Sequence, residues 1–181
     1  INHPLPEVRI EVAKQGYGLD ILASDSNWQV REAVAEQGHS LDVLINDEDW
    51  RVRCEVAYNG YGLDALTNDE HYRVRMAVVH KGHNLDKLID DEDYWVRQAV
   101  AKKKFGLNKL INDENEHVRQ AVAYQGYGLD KLINDDNGEV RKAVEFYLKE
   151  NYKQSLKEWA AAEPKNVYDK DNLNFKVQED L

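Results

Sequence analysis

In the stretch DSNWQVREAVAEQG (residues 25–38), Val30, Ala33 and Val34 fall on one side of a helical wheel, and Gln37 continues that side. This is the spacing of an amphipathic helix of about three turns. Asp25 is placed to N-cap it, and Gly38 to end it in the left-handed conformation. The following SLDVLIN (40–46) holds two apolar anchors, Leu41 and Leu44, in a length that fits only a short helix or a 3₁₀ turn. The residue after the glycine position is aromatic or histidine in every unit: Tyr17, His39, Tyr61, His83, Phe105 and Tyr127. It is set to fold back on the last helical turn.

The same phrase returns at a fixed interval. Val-Arg begins at 8, 30, 52, 74, 96, 118 and 140, a period of 22 residues. Such self-similarity predicts an all-α superhelical solenoid, each unit one helix plus a short helix or 3₁₀ turn that buries its apolar face against its neighbours. A leucine-rich repeat would share the period, but LDVLINDED carries only half of its L-x-x-L-x-L-x-x-N phrase. The seventh start, VRKAVEFYLKENYKQSLKEWAAAE (140–163), drops the glycine and keeps Val140, Val144, Tyr147, Leu148, Tyr152, Leu156 and Trp159 at helical spacing. It reads as a capping helix ended by Pro164, so residues 1–163 form one domain and 164–181 a polar tail, docked segment or linker. INHPLPEVR offers no cap at the other end, which suggests further sequence upstream.

The D-x-x-x-x-V-R-x-A-V-A phrase resembles the short HEAT-like repeats, and most of all the leucine-rich repeat variant family of α-solenoids, over about residues 4–147. The resemblance implies an α-helix alternating with a 3₁₀-helix in a right-handed superhelix, and the role of a binding scaffold. The units here are two residues shorter than that family's typical repeat and carry Gln-Gly where it has Asn-Pro.

Charge narrows the partner. Residues 1–95 hold 9 Lys/Arg against 19 Asp/Glu, whereas 96–181 hold 15 of each, so the first half carries the whole net charge of −10. A surface so acidic argues against direct nucleic-acid binding, which needs a basic footprint. HEAT-like DNA glycosylases, the one enzyme class worth weighing, need that footprint too. No apolar run can span a bilayer, and the lone cysteine, Cys54, excludes an intrachain disulfide. Together these point to a cytoplasmic protein.

Within the units, Arg31, Arg53, Arg75, Arg97 and Arg119 are invariant, as are Asp25, Asp47, Asp69, Asp91, Asp113 and Asp135. A job repeated in every unit is structural, and a ladder of Asp–Arg bridges and N-cap bonds is expected. His80 and His83 have no third ligand at a useful spacing, and no nucleophile, Walker or dinucleotide motif occurs. No metal, cofactor or catalysis is therefore expected. Unit five places Lys104 where the other units have glycine, so either its turn shifts to Gly106 or Lys104 takes the left-handed strain.

Opposite the valines, the variable stripe carries Trp28, Trp50, Cys54, Tyr58, Tyr72, Met76 and Tyr94. Aromatics and methionine are favoured at interface centres. The stripe is either a contact surface for a protein partner or packing between adjacent repeats. The leading expectation is a non-enzymatic protein-binding scaffold, its partner basic or itself nucleic-acid-binding. Two alternatives stand beside it: an acidic decoy that occupies another protein's nucleic-acid site, and a structural module of a larger chain.

Overall fold

The computed structural model describes the backbone of residues 1–162 and side chains through residue 154; the expected tail, 164–181, and the side chains of Leu156 and Trp159 lie outside the described residues. Two compact units result, Ile1–Tyr147 and a second beginning at Leu148. Thirteen helices and no strand occur among the described residues. In the first unit long and short helices alternate: α1 (Pro6–Lys14), α2 (Leu19–Leu22), α3 (Trp28–Glu36), α4 (Leu41–Leu44), α5 (Trp50–Tyr58), α6 (Leu63–Leu66) and α7 (Tyr72–His80). The series continues with α8 (Leu85–Leu88), α9 (Tyr94–Lys102), α10 (Leu107–Leu110), α11 (Glu116–Tyr124), α12 (Leu129–Leu132) and α13 (Gly138–Ala162). Each long helix packs on the next, from α1 on α3 through to α9 on α11. This is a helical repeat solenoid.

The core is a column of equivalent residues. Val30, Val52, Val74, Val96, Val118 and Val140 are fully buried, as are Val34, Val56, Val78, Val100, Val122 and Val144. Leu22, Leu44, Leu66, Leu88, Leu110 and Leu132 close the column from the short helices. Small residues on the flanks, such as Ala35, Ala57 and Ala101, let adjacent helices approach. Gln37, expected on the apolar side, is instead exposed at the C-cap of α3, because the helix ends before the wheel reaches it.

The N-caps fall two residues later than expected. Asp25 does not cap α3; Asn27 does, its side chain accepting from Gln29 N–H at 2.8 Å. Asp49, His71, Asp93 and Asn115 do the same for α5, α7, α9 and α11. Asp25 accepts instead from the backbone N–H of Asn27 at 2.9 Å, and its carboxylate receives Nε and Nη2 of Arg9 at 2.6 and 2.8 Å. The fork of Arg9 takes the acceptor that would otherwise reach into the helix.

The bridge recurs along the stack with the arginine in one unit and the aspartate in the next. Arg31 pairs with Asp47, Arg53 with Asp69, Arg75 with Asp91, Arg97 with Asp113 and Arg119 with Asp135, all at 2.6–2.7 Å. Each guanidinium also donates backward, as Arg31 does to the carbonyl of Asp25 at 2.7 Å. One side chain thus ties two successive loops. Burial demands such satisfaction, since Arg31, Arg53, Arg75 and Arg97 are no more than 9% exposed. Among the described residues the series runs to Arg119; for Arg141 the sequence register offers Lys157 in place of aspartate.

Lys104 takes the left-handed conformation itself, at φ 60°, and Gly106 keeps the place that Gly62 and Gly128 hold in their units. In α13, Val140, Ala143 and Val144 are buried. Leu148 and Tyr152, expected on a buried capping stripe, are 46% and 68% exposed. Among the described residues, the apolar face of that helix is therefore buried over its first turns and exposed at Leu148 and Tyr152.

Candidate partner-binding face

The first turns of the long helices bring the aromatic stripe together along one edge. Trp28, Trp50, Tyr72 and Tyr94 are half-buried against the core, and Met76 joins them. Residues outside the expected stripe complete the edge. Trp50 stacks on His71 at 4.4 Å with the rings nearly parallel, and His71 stacks on Tyr72 at 5.1 Å. Tyr94 lies 4.9 Å from Trp95 and 5.6 Å from His117. The Arg51 guanidinium lies over Trp28 at 3.7 Å, and that of Arg73 near Trp50 at 5.4 Å. These rings both pack one unit on the next and present an edge to solvent.

Cys54 is not on the displayed surface. It is 8% exposed and belongs to the core, because a solenoid helix is covered on its flanks as well as underneath. Burial, helped by Asp69, pushes its thiol up to about 12. Tyr58, one turn on, is 47% exposed and tilts against His80.

Between α5 and its neighbours these residues enclose a pocket of 310 Å³, lined by Glu32, Trp50, Arg51, Cys54, Glu55, Tyr58, Arg73 and Met76. Arg51 is engaged elsewhere on its rim, donating to both carboxylate oxygens of Asp49 at 2.9 Å. The carboxylates of Glu32 and Glu55 have no hydrogen-bond or ion-pair partner among the described residues. Partial burial raises both carboxyls above their ordinary range, and the neighbouring Glu36 adds to the effect. Glu55 was missed by the wheel, yet the sequence marks it: the equivalent residues of five other units are Ala33, Ala77, Ala99, Ala121 and Ala143, all buried, and only the terminal first unit has an acid there, the exposed Glu11.

No family model matches the chain, and no curated protein matches it in sequence.

Other polar groups are spoken for. His39 pairs with Asp20 at 2.7 Å and His83 with Asp64 at 2.8 Å, each reaching back to the preceding unit. His80 and His83 do not converge with a third ligand, and among the described residues no group of three or more His, Cys, Asp or Glu could hold a metal. Lys102 contacts Gln98, and Lys103 donates to the carbonyl of His80 at 2.7 Å. On the loop edge, Glu48, Glu70, Glu92, Glu114 and Asp136 follow one another unit by unit, their side chains 86–91% exposed. No described helix is long and apolar enough to cross a membrane.

Proposed function

We propose that the solenoid is a non-enzymatic protein-binding scaffold whose contact face centres on Trp50, Tyr58 and Met76, with Trp28, Tyr72 and Tyr94 holding that face in register. The observation that carries this reading is the pocket at unit three, where an exposed tyrosine, a half-buried tryptophan and a methionine surround a recess on an otherwise charged surface. Alternation of a long helix with a four-residue helix supports grouping the repeats with HEAT-like and leucine-rich-repeat-variant solenoids. The buried, unpaired Cys54 supports a reducing, cytoplasmic setting.

A direct test is affinity capture with wild type and a Tyr58→Ala, Met76→Ser variant whose melting curve shows it folded. A partner held by wild type and lost by the variant supports the face; a partner held equally by both refutes it. The exposed carboxylates at one per unit favour a second reading, a decoy for a nucleic-acid-binding protein. That reading predicts capture that falls steeply with salt, competition by DNA or RNA, and indifference to the Tyr58 variant.

A further inference from the structure

We propose that the pocket at unit three receives a lysine or arginine side chain of the partner, with Glu55 and Glu32 as its counter-charges and Tyr58, Met76 and Trp50 enclosing its aliphatic stem. This rests on the scaffold reading and specifies what the scaffold recognises.

Three independent observations converge. The first is Glu55 itself. In five other units its position is a buried alanine on the flank where helices meet, and a carboxylate there costs stability that an alanine would not. A unit that breaks the rule of its own repeat without a structural partner for the new group is where a functional site is expected. The second is charge. Glu55 of α5 stands within electrostatic reach of Glu36 on the adjoining α3, and Glu32, also on α3, feels both. None of the three side chains has an ion-pair partner among the described residues; Arg51, held by Asp49, offsets the repulsion at Glu32 only in part, so the acids still favour an entering cation. The third is the lining. Tyr58, Met76, Cys54 and Trp50 form apolar walls beside the carboxylates, the combination that suits a long side chain with an apolar stem and a charged head. Arg73 on the opposite rim donates Nε to the Tyr72 hydroxyl at 3.1 Å. Like Arg51, which Asp49 already holds, it is a rim group that would favour an acidic residue, so that occupant is an outcome of the test.

The test uses fluorescence anisotropy with three short labelled peptides of one neutral sequence, differing only at a central arginine, norleucine or glutamate. Each is titrated with the full chain as wild type, Glu55→Ala, Tyr58→Ala and Glu92→Gln at about 0.15 M salt. Glu55→Ala restores the residue of five other units and so folds. The arginine peptide is expected to bind wild type at least about tenfold more tightly than norleucine. Glu55→Ala should remove that preference, and Glu92→Gln, on the loop edge, should leave it intact. Equal binding of arginine and norleucine, with both lost in Tyr58→Ala, overturns the cation site but leaves the scaffold face standing. Preference for glutamate, or arginine binding unchanged in Glu55→Ala, also overturns it. Loss of the preference in Glu92→Gln overturns it in favour of diffuse attraction, and absence of any saturable, Tyr58-dependent binding overturns both readings.

Discussion

Ile45 packs its side chain into the space left by the missing Cβ of Gly62, seventeen positions on. A methyl group there would overlap the Ile45 Cδ1. The pairing recurs as Ile89 with Gly106 and Ile111 with Gly128. Where the first member is small, the glycine is gone: Ala23 is matched by Ser40, and Thr67 by Asn84, whose amide donates to the Thr67 hydroxyl at 3.0 Å. All these second members keep a positive φ, 48° at Asn84 and 59° at Gly62, so backbone strain and steric fit act together. Gly62→Asn should therefore destabilise by about 2 kcal/mol, through overpacking more than through φ, which Asn tolerates. Adding Ile45→Thr should recover most of the loss. A double-mutant cycle by denaturant unfolding measures this coupling, and additive effects would contradict the fit.

The Arg–Asp ladder should be strongest in its middle. Arg75→Ala leaves Asp91, whose side chain is 6% exposed, without its counter-charge, and should cost about 3–5 kcal/mol in urea unfolding. Arg75→Lys should recover little, since an ammonium cannot reproduce the fork. Arg9→Ala, at the end of the row and 14% exposed, should cost less. Acid should erode the ladder in a defined window. The Arg119 fork lowers Asp135 to about 2 in the fold, against about 3.9 unfolded. Its contribution is complete above the unfolded value and disappears as pH falls from about 4 to about 2. In Asp135→Asn the melting temperature should fall less steeply over that window than in wild type.

The repeat, the helix positions and the valine column were legible because each unit restates them, and a phrase in register seven times averages out local noise. The N-caps were not. Asp25 and Asn27 are both good capping residues two positions apart, and what separates them is Arg9, sixteen residues upstream in sequence but beside Asp25 in space. Cys54 was misplaced for a related reason: a wheel describes one helix, whereas α5 is covered by α3 and α7 on its flanks. The first-turn aromatics Trp28, Trp50, Tyr72 and Tyr94 share one column of the repeat and are half-buried, yet their stacking partners His71, Trp95 and His117 lie at the cap and second positions, which a wheel centred on Trp28 assigns elsewhere. Glu55 was visible by aligning the units column by column, since it is the one acid of that column inside the stack, the other, Glu11, standing exposed in the first unit.

Lys104 offers a stabilising change. It stands at φ 60° where the other units place glycine, with no compensating side-chain bond described for it. Lys104→Gly should raise stability by about 0.5–1 kcal/mol, the relief of left-handed strain being partly offset by the freer unfolded chain. Calorimetry should show a rise of a few degrees in melting temperature, and a fall would mean that the lysine makes a contact worth more than its strain.

Cys54 should report on unfolding. Its thiol is buried and raised to about 12, so near pH 8 the reactive thiolate is suppressed by on the order of a thousandfold relative to a free cysteine. Labelling with a disulfide reagent should be slow in the native protein and become immediate in denaturant, with a midpoint matching circular dichroism. Rapid native labelling would place the thiol on the surface.

Glu55→Ala should stabilise the fold while removing the proposed recognition. Ionised Glu55 crowds Glu32 and Glu36, with Asp49, Arg51, Arg73, Cys54 and Tyr58 the other ionisable groups around the site. A carboxyl raised in the folded state favours folding when protonated, so the penalty applies above its folded value and lifts as pH falls through it. At neutral pH the variant should therefore be more stable by about 1 kcal/mol, or a few degrees. The difference should shrink as the solution is acidified and the raised carboxyl of Glu55 takes up its proton ahead of an ordinary glutamate. A residue that weakens the fold at neutral pH and strengthens binding is the pattern of a site kept for function. Melting curves of both proteins across this range decide it: a gain that does not change with pH would trace to helix propensity alone, and a loss would mean that Glu55 is held by a partner within the fold.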